Sequence, residues 1–270
     1  MSSPCQNSLL AAATLVSLAG AAQARDLRAC ADPNNLPFSN DKGEGFENRI
    51  VELIARDLGA EVRYTWWAQR RGFVRNTVGA AQCDVVPGVA AGVDNLATTR
   101  PYYRSSYVFV TRTDRNLDLA SLDDPRLKRL VIGVQMVGND AFNTPPAHAL
   151  AERGVTANVR GYMIYGDYAR PNPEQAIVTA VADRQIDTAL VWGPLAGYFA
   201  RLSGVRMTLT PVTPQLDHGR WPMAFDIAMG VRKGNEALRQ ELDAELDRRH
   251  AEIQAILAQY GVPALSTPPP

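Results

Sequence analysis

From Leu27 onward the chain alternates short β-type runs with stretches whose apolar residues recur at helical spacing. Leu27 to Ala31 reads as a strand, followed by a loop that Pro33 and Pro37 keep out of helix. Phe46, Ile50, Val51, Leu53, Ile54 and Leu58 then mark a helix, and Gly59 supplies a left-handed stop. Glu61 to Trp67 is β-rich, Gln69 to Ala81 reads as a short helix, and Asp84 to Gly88 as a buried strand. This β-α-β-α-β order predicts a parallel sheet wrapped by helices.

Thr98 to Arg112 breaks the rhythm with an aromatic turn and a strand, Ser106 to Thr111, rich enough in β-formers to cross between lobes. A second series follows. Leu130 to Val134 is a strand, Asn139 or Asp140 a candidate cap for a helix reaching toward Arg153, and Asn158 to Tyr162 a strand. Pro173 to Arg184 reads as a helix with proline at its start, and Thr188 to Trp192 as a buried strand. After a further crossing at Phe225 to Val231, Leu238, Leu242, Leu246, Ile253, Ile256 and Leu257 predict one long amphipathic helix, closed by Gly261 and Pro263. The expected architecture is a bilobal α/β fold joined by two crossover strands, with residues 25–110 plus 225–270 in one lobe and 111–224 in the other.

The amino terminus reads differently. Leu9 to Ala22 is an uninterrupted run of Leu, Ala, Val, Gly, Ser and Thr ending in Ala22-Gln23-Ala24, the small-x-small pattern of a cleaved signal peptide over residues 1–24. As a helix the run spans only about 21 Å, short of the roughly 30 Å of a membrane core. Met1 to Ser8 lacks the Lys or Arg such peptides usually carry. All charges lie beyond residue 24, and 28 basic and 28 acidic residues cancel. Neither nucleic acid nor an anionic membrane surface would meet a basic field here. Removal of Cys5 leaves Cys30 and Cys83, each on an expected strand of one sheet, so an exported chain favours a disulfide between them over two buried thiols.

Catalytic signatures are missing: there is no G-x-S-x-G, H-E-x-x-H, P-loop or Gly-rich dinucleotide fingerprint. His148 and His250 read as structural or solvated, and His218 lies in a turn-rich loop. With no ligand cluster a metal site is not expected. Cleft candidates come instead from loops at strand ends: Asp32, Asn34 and Phe38 after the first strand, Trp67, Arg70 and Arg71 after the second, Gln135 and Asn139 in the other lobe, and Trp192 before Gly193-Pro194. The competing assignment is core packing for the aromatics and a solvated helix face for the arginines.

Long motifs carry a resemblance. C-A-D-P-N-N-L-P-F-S at 30–39, G-F-E-N at 45–48, Y-T-W-W-A-Q-R-R-G-F-V-R-N-T at 64–77, T-T-R-P-Y-Y-R-S-S-Y-V-F-V at 98–110, N-T-P-P-A-H-A-L at 143–150, Y-G-D-Y at 165–168 and V-W-G-P-L-A-G-Y-F-A at 191–200 resemble the periplasmic solute-binding proteins of family 3 (type II). Within it they resemble the branch associated with pyrroloquinoline quinone (PQQ)-dependent methanol dehydrogenases, of XoxJ and MxaJ type, with wording closer to the lanthanide-associated XoxJ. The resemblance implies a periplasmic, monomeric, non-enzymatic protein with no cofactor of its own. It would bind and help mature or activate such a dehydrogenase, with its cytochrome c as a further partner. Amino-acid receptors of this fold clamp the ligand carboxylate with an Arg before the aromatic turn and its amine with an Asp at the strand end. Here Gly92 to Ala97 has no Arg, and Trp192 stands where the Asp would be. A receptor for a small non-amino-acid solute of an ABC transporter is the alternative, and an enzyme of the dehydratase or lytic transglycosylase kind a third.

Overall fold

The computed structural model describes residues 25–137, 143–164 and 168–265. The signal-peptide reading of 1–24, Asn139, Asp140 and the tail from 266 lie outside them. Strand β1 (Arg25–Ala31) pairs in parallel with β2 (Ala60–Trp66) from Arg25↔Ala60 to Ala31↔Trp66. On its other side lies β3 (Val85–Ala90). The connection from β1 to β2 is α1 (Phe46–Asp57), which buries Phe46, Ile50, Val51 and Ile54 against the sheet. Its cap is Gly45 because a Cβ there would overlap the Phe38 carbonyl. The opposite face of this sheet is covered by the short α2 (Phe73–Asn76), through Phe73, Val78, Val86 and Leu96.

In that layer Cys30 and Cys83 form a disulfide with Cα atoms 5.6 Å apart. It fastens β1 to the segment leading into β3.

The second lobe repeats the plan. Strand β4 (Tyr103–Arg112) runs into it, followed by β5 (Ile132–Met136), α3 (Pro145–Glu152), β6 (Val159–Met163), α4 (Ala176–Ala182), β7 (Thr188–Trp192), α5 (Gly193–Leu202) and β8 (Met207–Pro211). Side-chain alternation splits its core in two: Val108, Val110, Ala189 and Val191 face α4 and α5 residues such as Val181 and Phe199, while Phe109 and Leu190 face Leu150 of α3. Strand β9 (Ala224–Val231) returns the chain to the first lobe, where α6 (Glu236–Arg248) and α7 (His250–Gln259) pack Leu242, Leu246, Ile253 and Leu257 into the α1 core. Each such side chain contributes roughly 1.5–3 kcal/mol when fully buried.

The strand order is β2-β1-β3-β9-β4-β7-β5-β6, with β8 also on β4. Two strands make the crossing. Tyr103 to Ser106 of β4 pair with Ala224 to Ile227 of β9, and beyond Ser106 the same strand pairs with β7 and β8 instead. From Ile227 onward β9 pairs with β3.

Three expected helices are corrected. The long carboxyl-terminal helix is broken at Arg249, whose guanidinium turns to the Asp57 carboxylate of α1 at 2.5 and 2.7 Å. The stretch from Gln69 to Ala81 yields only α2 and a 3-10 turn, because Gly72 enters at φ +88°. Finally α3 starts at Pro145, after Thr144, since two prolines fit only a helix's first turn.

Candidate functional site

The loop after β1 is built around the buried carboxylate of Asp32. It accepts from its own loop at the Asn34 N–H (2.9 Å) and from the loop after β2 at the Gln69 N–H (2.6 Å). A third donor comes from the second lobe, the Tyr168 hydroxyl at 2.5 Å. Asn34 adds a parallel tie: its amide donates to the Arg170 carbonyl (2.8 Å), and its side-chain oxygen accepts from the Asn172 N–H (3.3 Å). Asp32 and Asn34 thus latch one lobe to the other. Burial, and then the bond to Asp32, push the Tyr168 hydroxyl well above its ordinary pKa and keep it a donor.

Between the lobes lie two adjoining compartments, of about 270 and 260 Å³. Asn35, Phe38, Gln69, Tyr107 and Trp192 border both. Asn35 and Gln69 are bonded to each other at 2.9 Å. Trp192 stands edge-on to Tyr107 and to Phe225, with ring centres 5.5 and 5.8 Å away. Its backbone N–H donates to the Gln135 side-chain oxygen at 2.7 Å, so Gln135, which lines the second compartment, fixes the tryptophan that lines both.

The first compartment also holds Glu47, Gly88, Tyr103, Phe225 and Ile227. Glu47 follows Phe46 in the first turn of α1 and is 5 % exposed; its backbone N–H donates to the Phe38 carbonyl at 2.9 Å, and its carboxyl makes no hydrogen bond among the described residues. Burial pushes its carboxyl up to about 8. Gly88 lies directly against it: at φ +72°, a Cβ would overlap the Glu47 carboxyl oxygens. Burial also raises the Tyr103 and Tyr107 hydroxyls well above the phenol range.

Of the residues singled out from sequence, Phe38, Gln135 and Trp192 line the compartments, and Asp32 and Asn34 tie the rim. Trp67 is 42 % exposed, and neither it nor the exposed Arg70 and Arg71 lines a compartment. The β2 strand ends at Trp66, and of the loop that follows, it is Gln69 that reaches both compartments. Glu47, Gln69, Tyr103, Tyr107 and Phe225 escaped the sequence reading. Glu47 carried a signal: at three, four and seven residues before Ile50, Val51 and Ile54, it falls on the buried face of α1.

Outside the cleft, His148 stacks on Trp221 with ring centres 4.2 Å apart and accepts from the Asn143 N–H. His218 is exposed and lies near Glu152 and Asp217. The Asp217 carboxylate is already taken up by Arg153, at 2.7 Å to each oxygen.

Residues 27–263 match the bacterial extracellular solute-binding proteins, family 3. The chain belongs to this family. Within it, protein MoxJ of Methylorubrum extorquens is 35% identical over 251 residues, covering 88% of this chain and 81% of that one. The crystal structure of periplasmic binding protein XoxJ from Methylobacterium extorquens AM1 superposes with a TM-score of 0.72 at 39% identity, over 89% of this chain and 100% of that one. MxaJ from Methlophaga aminisulfidivorans MPT superposes at 0.75 with 24% identity, over 88% and 100%, and shares the fold. Among the described residues no helix is long and apolar enough to cross a membrane.

Proposed function

We propose that this family member is a periplasmic accessory protein of methanol oxidation that binds, and helps mature or activate, a PQQ-dependent methanol dehydrogenase of the lanthanide type. The observation that carries the reading is identity of 35–39% to MoxJ and XoxJ across nearly the whole chain. The cleft supports a binding role in place of an amino-acid receptor's: among the described residues its lining contains no arginine, and a tryptophan occupies the strand end of the second lobe. A free amino acid would bury its carboxylate there without a cationic partner, at a cost of several kcal/mol.

In this reading residues 25–110 with 225–265 and residues 111–224 move as two bodies about β4 and β9, and the cleft closes on an element of the dehydrogenase. Calorimetric titration of the mature protein with the cognate dehydrogenase, in apo and holo forms, tests it. Binding to either form is expected, and binding to neither overturns it. A receptor for a small non-amino-acid solute is the second reading, favoured by the modest size of the compartments. It requires a small molecule that raises the melting temperature.

A further inference from the structure

Glu47 lines a compartment shared with five aromatic residues, Phe38, Tyr103, Tyr107, Trp192 and Phe225, and with Asn35, Gln69, Gly88 and Ile227. Among the described residues, no Lys, Arg or His lines either compartment, and no hydrogen bond engages the Glu47 carboxyl. A buried carboxyl without a partner is costly, and its retention calls for an explanation, which a group arriving from outside would supply. Aromatic rings stabilise a cation near their faces, and a carboxylate among them supplies the counter-charge. We propose that the first compartment is a cation subsite that takes an organic ammonium group, paired with the Glu47 carboxylate and flanked by these five aromatic residues.

Competing ligand classes fit less well. A ligand carboxylate would meet Glu47 with no cation to offset it. A hard metal ion needs about six oxygen ligands, and Glu47 is the sole carboxyl among the described residues lining this compartment. The titratable groups whose charge bears on Glu47 are the Tyr64, Tyr102 and Tyr103 hydroxyls, all raised by burial and neutral at physiological pH. Glu47 therefore keeps its own proton near neutrality, and an arriving ammonium sends that proton to the buffer, leaving a carboxylate–ammonium pair. The inference rests on the cleft being a binding site, and it holds whichever molecule carries the ammonium, a free amine or the lysine side chain of a partner.

Calorimetry on the mature protein tests it with tetramethylammonium, methylammonium, 1,4-diaminobutane and N-acetyl-lysine amide, each titrated near pH 7 in two buffers of different ionisation enthalpy. At least one probe is expected to bind with release of about one proton, and Glu47→Gln to weaken it at least about thirtyfold while melting no lower than the wild type. Glu47→Asp should restore part of the affinity, and Trp192→Leu should weaken binding without abolishing the proton release. Binding of the simple amines identifies a free solute, and binding of the lysine amide alone identifies a partner's side chain; either supports the subsite. No binding by any probe, or equal binding by Glu47→Gln, overturns it. Dehydrogenase binding with no probe binding would remove this inference and leave the proposed function standing, and the reverse pattern would do the opposite.

Discussion

The Tyr168 hydroxyl of the second lobe donates to the Asp32 carboxylate of the first at 2.5 Å, across the mouth of the cleft. Asp32 is held on its own side by two backbone N–H groups, so the tyrosine meets an acceptor already fixed in place. A hydrogen bond to a charged group contributes about 1.5–3 kcal/mol. Tyr168→Phe should therefore shift the protein toward an open form with little change in the stability of either lobe. Small-angle scattering would show a larger radius of gyration, and an unchanged radius in both Tyr168→Phe and the double variant with Asn34→Ala would refute the latch.

The Glu47 carboxyl, at about 8 in the folded chain against 4.5 ordinarily, sets a pH dependence of unusual sign for an acid. Between those values the native state holds a proton that the unfolded chain has released, so stability falls as pH rises from 4.5 to 8 and levels beyond. The total is on the order of 5 kcal/mol. Urea midpoints from pH 5 to 9 should trace this decline, and Glu47→Gln should flatten it.

Arg153 and Asp217 should give the opposite slope. Asp217 is wholly buried, and the Arg153 guanidinium beside it holds its carboxyl below the usual carboxylate range. Its folded value is depressed, so its contribution is complete above its ordinary pKa and is lost as pH falls through the folded value. Arg153→Met, which strands the buried carboxylate, should cost about 3–5 kcal/mol by denaturant titration at pH 7.

Removing the disulfide should destabilise the first lobe. The bridge closes a separation of 53 residues, which on the chain-entropy model corresponds to about 4 kcal/mol. Cys30 and Cys83 are 0 and 1 % exposed, so reduction by thiols in the native state should be slow and follow unfolding. A Cys30→Ala/Cys83→Ala variant should show the full loss immediately, while wild type in reductant should show it only after cycling through denaturant.

Much of the fold was legible because strand and helix periodicities are local. The runs at Leu27, Phe46 and Thr188 each carry their own signal, and the observed elements start within a few residues of them. The break at Arg249 was not legible, for the partner its guanidinium meets there, Asp57, is 192 positions away in sequence. The cleft was harder for the same reason. Phe38 and Trp192 could be read from strand ends, but Tyr103, Tyr107 and Phe225 sit inside the crossing strands, where an aromatic residue reads as ordinary β propensity. Trp67 lies just past the end of β2, 42 % exposed, while Trp66 stacks on Tyr64, so neither lines a compartment.

The crossing strands carry a mechanical consequence. Tyr103, Tyr107, Phe225 and Ile227, which wall the first compartment, belong to β4 and β9 at the places where those strands exchange partners. If the lobes rotate about β4 and β9 as proposed, an occupant there would rest near the axle of that motion, where atoms are displaced least. Asp32 and Tyr168 sit farther out, where the same rotation would displace them more. Grip and report are thus divided: the axle can hold its guest with little rearrangement, while a partner reading the rim would sense a swing amplified by the full reach of each lobe.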